Sequence, residues 1–217
     1  MPAIEELTLA GDPNRWMAAG FHVDEGRARV GRTDLRLAGT GAGRGIAEWA
    51  LSGVESLELD GLPTRRVAGG ARDVIAPVHP NGVVRLDHVV AFSGNLERTV
   101  AALEKAGLDF RRLREGPTPA GAVRQAFFRL GETILEVVEH PPGTAAAADP
   151  EAAAHFYGLA FLVDDLDAAA NAMGAHLGRV RDAVQPGRRI ATASREAGLG
   201  LPVAFMTSRP DGIRQAE

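Results

Sequence analysis

Apolar positions along the chain alternate between a spacing of two and a spacing near 3.6, so strands and helices follow one another throughout. The clearest case begins at Leu86-Asp87-His88-Val89-Val90-Ala91-Phe92, an apolar, β-branched run closed by Ser93-Gly94-Asn95, which predicts a strand. Asn95 suits a helix N-cap, Leu96, Val100 and Leu103 recur at helical spacing, and Gly107 suits the position just past the helix end. Leu108-Asp109-Phe110 predicts a short strand, followed by a turn around Gly116, Pro117, Pro119 and Gly121. Residues 123–130 and 133–139 predict two further strands joined at Gly131-Glu132. The order is β-α-β-β-β.

The same order returns twice. Residues 156–163 predict a strand, Asp165 caps a helix bearing Leu166, Ala169, Ala170 and Met173, and weaker strands follow near 178–181, 189–194 and 203–207. At the front, residues 4–10 predict a strand, and Asp12-Pro13 opens a short helix carrying Trp16 and Met17. After Gly20 come a strand at 21–23, a hairpin of 27–30 and 34–38 around Gly31-Arg32-Thr33, and a strand at 46–51 that closes the unit. The three helix caps are 83 and 70 residues apart, a repeat rather than a coincidence of local pattern.

Residues 1–67 are thus expected to form a degenerate β-α-β-β-β unit, 85–140 a well-formed one and 155–208 a third. Residues 68–84, rich in Gly and Pro, and 141–154, rich in Ala and Pro, read as linkers, and 209–217 as a tail. The fold class is α+β, with the units forming curved mixed sheets around a cleft. Three units leave one without a mate. Either the central and third units pair with the first packed outside them, or a homodimer completes the pairing.

Composition then narrows the chemistry. The 217 residues carry a net charge of −4, with 45% hydrophobic and 24% charged residues, so a buried core is expected and a nucleic-acid partner is not. The absence of cysteine excludes disulfides, thiolate nucleophiles and Cys-based metal sites. No apolar run approaches the ~20 residues that span a bilayer, and the first residues lack a basic leader, so a cytoplasmic protein without a membrane partner is expected. Lys105, on a predicted helix surface, is the sole lysine and leaves Schiff-base chemistry no other position. The glycine-rich 39–45 segment lacks both the spacing and the strand–loop–helix context of a dinucleotide loop, so no nucleotide cofactor is expected.

The string Asp87-His88-Val89-Val90, the helix behind it and the closing Ile134-Leu135-Glu136-Val137-Val138-Glu139 together resemble the vicinal oxygen chelate superfamily, which includes glyoxalase I, extradiol dioxygenases and bleomycin-resistance proteins. The resemblance covers residues 85–140 best, then 155–208, and 4–55 in outline. It implies paired modules around a cleft and, in metal-dependent members, one divalent ion (Fe, Mn, Ni or Zn) held by residues of first and last strands. His88 falls on the first-strand ligand position and Glu136 on the last-strand one. Their counterparts are Gly158 and a position near Ala204 in the third unit, and positions near Glu6 and Arg36 in the first. A third ligand is left open among His155, His140, Glu139 and Glu6, or a second subunit.

Strand parity puts Leu86, His88, Val90 and Phe92 on one face and Ile134, Glu136 and Val138 on one face, so His88 and Glu136 can meet if their strands are neighbours. Glu136 among apolar residues is the candidate general base, its pKa raised by burial, for proton abstraction next to a carbonyl. Arg124 with Gln125, Phe128 and Tyr157 are candidate substrate-binding residues, Arg124 holding an anionic group bidentately. The run Arg111-Arg112-Leu113-Arg114 reads as a solvated face, and His22, His79 and His176 as surface residues. The functional expectation is a glyoxalase/dioxygenase-like small-molecule enzyme acting on a carbonyl- or vicinal-oxygen-containing metabolite. The alternatives are a non-catalytic binder of an antibiotic or metabolite, of the bleomycin-resistance type, and a structural relic whose cleft is filled.

Overall fold

The computed structural model describes residues 1–69, 76–118, 121–141, 143–144 and 149–208. Parts of both expected linkers (70–75, 142 and 145–148), the 119–120 turn and the tail 209–217 lie outside the described residues. The three predicted caps each start a helix. Asp12 accepts from the Asn14 amide at 2.9 Å, opening α1 (Pro13–Ala18), and Asn95 from Arg98 at 3.0 Å, opening α2 (Leu96–Lys105). Asp165 accepts from Asp167 and Ala168, opening α3 (Leu166–Met173). A side-chain oxygen satisfies amides that the helix itself leaves unpaired, which is why these positions are read from sequence so readily.

The strands form two mixed sheets. β1 (Ala3–Leu9), β2 (Arg27–Val30), β3 (Thr33–Leu37), β4 (Ile46–Ser52) and β5 (Thr64–Arg66) make a five-stranded sheet in the order β2-β3-β1-β4-β5. The remaining eight are β6 (Val83–Ser93), β7 (Asp109–Thr118), β8 (Gly121–Leu130), β9 (Thr133–Glu139), β10 (His155–Val163), β11 (Arg181–Asp182), β12 (Arg189–Thr192) and β13 (Val203–Thr207). Their order is β11-β12-β13-β10-β6-β9-β8-β7. The central and third units thus join within one chain, through antiparallel pairing of their first strands β6 and β10.

Three expectations change here. No strand forms at 21–23; an isolated bridge from Asp24 to Arg27 follows it. β7 runs from Asp109 to Thr118 instead of stopping at Phe110, because its partner β8 continues opposite it as far as Gly121. The strand expected to close the first unit, β4, instead pairs antiparallel with β1 and parallel with β5. That is the relationship β10 has to β6 and β13, with the 53–63 loop standing where α3 stands.

The small sheet consequently repeats the central part of the large one. Glu6 pairs with Asp34 and Ala50 as His88 pairs with Ile134 and Ala160. Both first strands carry a bulge at the preceding residue, Glu5 or Asp87. The Thr33 hydroxyl donates to the Ile4 carbonyl at 3.3 Å, and that of Thr133 to the Leu86 carbonyl at 3.4 Å.

The apolar faces of the two sheets meet in one core. Trp49 packs on Phe156 with ring centroids 5.0 Å apart, and Phe161 touches Phe21 (5.3 Å), Phe205 (6.1 Å) and Trp16 (6.2 Å). Such ring pairs contribute about 0.5–1.5 kcal/mol each beyond their buried area. His79, expected at the surface, is buried: its Nδ1 accepts from the His22 amide at 2.9 Å and its Nε2 donates to the Arg29 carbonyl at 3.0 Å. With the cores facing each other, the polar faces of both sheets point away from the interior. Among the described residues no helix is long and apolar enough to cross a membrane.

Candidate functional site

The polar face of the large sheet is built around the junction of β6 and β9. Because β6 bulges at Asp87, its alternation slips by one residue. Leu86 is therefore buried with Val89 and Ala91, not on the His88 face as simple parity predicts, and His88, Val90 and Phe92 share the opposite face. β9 runs parallel to β6 with Val90 opposite Glu136, so His88 and Glu136 are diagonal neighbours on that face. His88 Nε2 and Glu136 Oε2 are 3.8 Å apart, with 15% and 16% of their side chains exposed. That separation exceeds a hydrogen bond, so neither group satisfies the other, and both remain open to solvent.

Each is oriented from behind. His88 Nδ1 lies 2.9 Å from Asp87 Oδ2, and Arg188 Nη2 donates to Asp87 Oδ1 at 2.8 Å. Burial alone would raise the Asp87 pKa, but the hydrogen bonds from His88 and Arg188 hold it down to about 2. An ionised Asp87 requires a proton on His88 Nδ1, which turns Nε2 toward Glu136. Arg188 is itself anchored through Nε to the Thr207 carbonyl at 2.7 Å.

Glu136 has the reverse balance. Burial raises its pKa, only partly offset by His88, by Arg114, by the hydrogen bond from Gln125 Nε2 (2.6 Å to Oε1) and by Arg112. Its Oε2 makes no hydrogen bond among the described residues. Opposite Glu136 on β8 stands Phe127, with the Arg112 guanidinium 4.9 Å from the ring centre. Arg112 and Arg114 pair with Phe127 and Gln125 and so belong to this face, because β7 bulges at Arg111. The site thus places a buried carboxylate of raised pKa beside a fixed imidazole, with two arginines at one flank.

The other expected site residues divide. Tyr157, 48% exposed, lies edge-on to Phe92 at 4.9 Å, and His155 is opposite Phe92 in register, its ring 6.1 Å from Phe92 and 5.4 Å from His140. Both share the polar face; His155 is four residues along β6 from His88, roughly 13 Å, while Tyr157 is the bulge residue of β10 between the partners of Ala91 and Val90. His155 is therefore not a third ligand beside His88 and Glu136. Arg124 and Phe128 are on the other face. Phe128 is fully buried against Phe110, and Arg124 pairs with Glu97 of α2 and with Glu139 at 2.5 Å. Alternation is the reason: Gln125 and Phe127, one residue away in each case, face the site instead.

Sequence reasoning missed Asp87 and Arg188, which are 101 residues apart and carry no shared pattern, and misplaced Arg112 and Arg114. The two-residue spacing of Arg112 and Arg114 was the available signal for the latter pair.

A divalent ion would find two donors here, His88 and Glu136. The matching positions of the other half are Gly158 and Ala204, which offer none. A Cβ built on Gly158 would lie 2.5 Å from the Pro202 carbonyl oxygen, so that position has no room for a ligand side chain without a backbone shift. Among the described residues no three His, Cys, Asp or Glu side chains are placed to hold a metal ion together. Structural and catalytic metal sites ordinarily use three or more protein ligands, and this donor set falls short of that.

Residues 85–198 match the family model described as the glyoxalase/bleomycin resistance protein/dioxygenase superfamily. Among solved structures, a variant of 4-hydroxymandelate synthase from Streptomyces coelicolor superimposes with a TM-score of 0.66 at 15% identity, covering 97% of this chain and 94% of that one. A xylose isomerase-like TIM barrel/4-hydroxyphenylpyruvate dioxygenase fusion protein gives 0.63 at 13% identity, with 99% of this chain and 50% of that one covered. Methylmalonyl-CoA epimerase from Mycobacterium tuberculosis gives 0.48 at 19%, with 65% and 97% covered. No curated protein matches at the level of sequence.

Proposed function

Since the chain belongs to the glyoxalase/bleomycin resistance protein/dioxygenase superfamily, we propose that it is a small-molecule enzyme that removes a proton next to a carbonyl of an acidic metabolite. The observation that carries this reading is Glu136 Oε2, which makes no hydrogen bond among the described residues, on a carboxylate whose pKa burial raises, 3.8 Å from His88 Nε2. A base of raised pKa transfers protons near neutral pH more effectively than an ordinary carboxylate. In this reading Glu136 takes the proton from carbon. His88, braced by Asp87 and Arg188, hydrogen-bonds through Nε2 to the developing enolate oxygen. Arg112 and Arg114 hold the anionic group of the substrate, and Gln125 keeps the Glu136 carboxylate turned toward it.

A resident ion would bind at His88 and Glu136 and polarise the same carbonyl. The donor set beside Gly158 and Ala204 does not complete such a site. The same two positions favour a second reading, capture of a small molecule without turnover.

The deciding experiment is exchange of substrate hydrogens with deuterated solvent, followed by NMR on a panel of carboxylated carbonyl compounds. Exchange by the wild type that falls by about 10²–10⁴-fold in Glu136→Gln is the expected result. Binding of a panel member without exchange would favour capture. Metal analysis runs alongside: stoichiometric metal lost in Glu136→Ala would return the chemistry to a metal centre.

A further inference from the structure

A second concave region lies away from His88 and Glu136, where the two halves of the chain cross. A cavity of 320 Å³ is lined there by equivalent residues of both sheets: Ile4 with Leu86, Thr33 with Thr133, and Arg32 with Glu132. The repeat itself creates it. The β2–β3 turn sits against the start of β6, where a Cβ on Gly31 would lie 3.0 Å from Arg85 Cβ, and Gly31 has φ 58°. Reciprocally, the β8–β9 turn approaches the start of β1, a Cβ on Gly131 lying 3.6 Å from Ala3 Cβ. Two hairpin turns, each resting on the other half's first strand, enclose the space between them.

Symmetry of backbone is broken by charge. Arg29, Arg32 and Arg85 face the cavity against Glu5 and Glu132. Glu5 accepts from the Ser52 hydroxyl at 2.6 Å, and Arg85 gives one Nη1 bond to the Glu132 carbonyl at 3.1 Å. Arg29 uses Nη1 on Asp34 at 2.9 Å, but its Nε is buried without a hydrogen-bond partner among the described residues. Arg32 makes no hydrogen bond or ion pair among the described residues. An orphaned buried guanidinium nitrogen is costly, and an oxyanion is the group that satisfies it in fork geometry.

We infer that this inter-sheet cavity binds a small oxyanion, a carboxylate or a phosphate, between Arg29 Nε, the Arg32 guanidinium and Arg85. At roughly 30 Å³ per water-sized group the volume suits a ligand of about ten non-hydrogen atoms. Glu5 and Glu132 on the same wall offset part of the positive charge. The cavity wall includes Leu86 and Thr133, which adjoin the Asp87 bulge and Ile134, so the occupant touches the ends of the strands that carry His88 and Glu136.

Calorimetric titration of the full chain with sodium phosphate and, separately, sodium succinate at constant ionic strength tests this. Saturable binding with Kd at or below about 1 mM, weakened at least about tenfold in Arg32→Glu and unchanged in Arg112→Ala, is the expected result. The salt that binds identifies the anion class. No saturable binding of either salt would overturn the inference. So would binding that survives Arg32→Glu but disappears in Arg112→Ala, which assigns the anion to the His88–Glu136 face. Arg32→Gln, which removes the charge without reversing it, and a thermal melt of each variant separate loss of binding from loss of fold.

Discussion

Glu6 and Arg36 form an ion pair 3.4 Å apart at the two register positions of the small sheet that correspond to His88 and Glu136 in the large one. The other two corresponding positions hold Glu48 and Arg65, which also pair, at 3.1 Å, while Arg65 reaches Glu6 at 3.0 Å. Where metal-dependent relatives would gather ligands, this sheet has two glutamates from first strands and two arginines from last strands. Charges of both signs at one point neutralise each other and leave no concentrated negative field for a cation.

Glu6 is the hub, since Arg27 also binds it at 2.7 Å. Burial alone would raise its pKa, but the arginines, Arg27 first, hold it below the usual carboxylate value. Glu6→Gln leaves three arginines facing one another and is expected to destabilise the fold by about 1 kcal/mol, the exposure of those arginines limiting the effect. The wild-type advantage is full above the ordinary glutamate pKa near 4.5 and fades as pH falls through the lower folded value. Urea midpoints of both proteins at neutral and acidic pH check this, and the difference should shrink with added salt.

Gln125→Leu should move the acid limb of the pH–rate profile to higher pH. The Gln125 amide donates to ionised Glu136, so its loss strengthens the upward shift that burial already imposes. Activity requires the ionised base, so the variant should be slower at low pH and recover as pH rises. A profile of kcat against pH is the measurement. A uniform loss at every pH would instead indicate that Gln125 positions Glu136 without tuning it.

Arg188→Leu removes one of the two groups that satisfy Asp87, whose side chain is 12% exposed. Breaking a buried pair on one side costs about 3–5 kcal/mol. The Asp87 pKa, held near 2, should rise in the variant. Stability from this pair is fully present above the ordinary aspartate value of 3.8 and is lost as pH falls toward 2, so the two proteins should converge in acid. Denaturant melts at several pH values measure it. His88 loses its brace in the same variant, and kcat should fall with little change in binding.

Much of this molecule is written locally. The caps at Asp12, Asn95 and Asp165 depend on amides two or three residues away, and the strand at Ile134-Leu135-Glu136 on alternation within one segment. That His88 and Glu136 could meet followed from family likeness and a period of two, and the distance of 3.8 Å agrees. The same period failed at Leu86, Arg124 and Phe128. At Leu86 the bulge at Asp87 shifts the faces, and in β8 parity alone does not say which face the core will claim.

By itself, then, the sequence determined the three capped helices and most of the strands, because each rests on short-range hydrogen bonding or on spacing along one strand, while the choice of His88 and Glu136 leaned on family likeness. Tertiary structure alone decided the Asp87–Arg188 brace, the arginine pair on β7, and the role of β4 as the start of another half-unit. These depend on which strands hydrogen-bond side by side and where a bulge slips the register. Such choices come from packing two apolar faces together across a hundred residues of chain, and no local pattern encodes them.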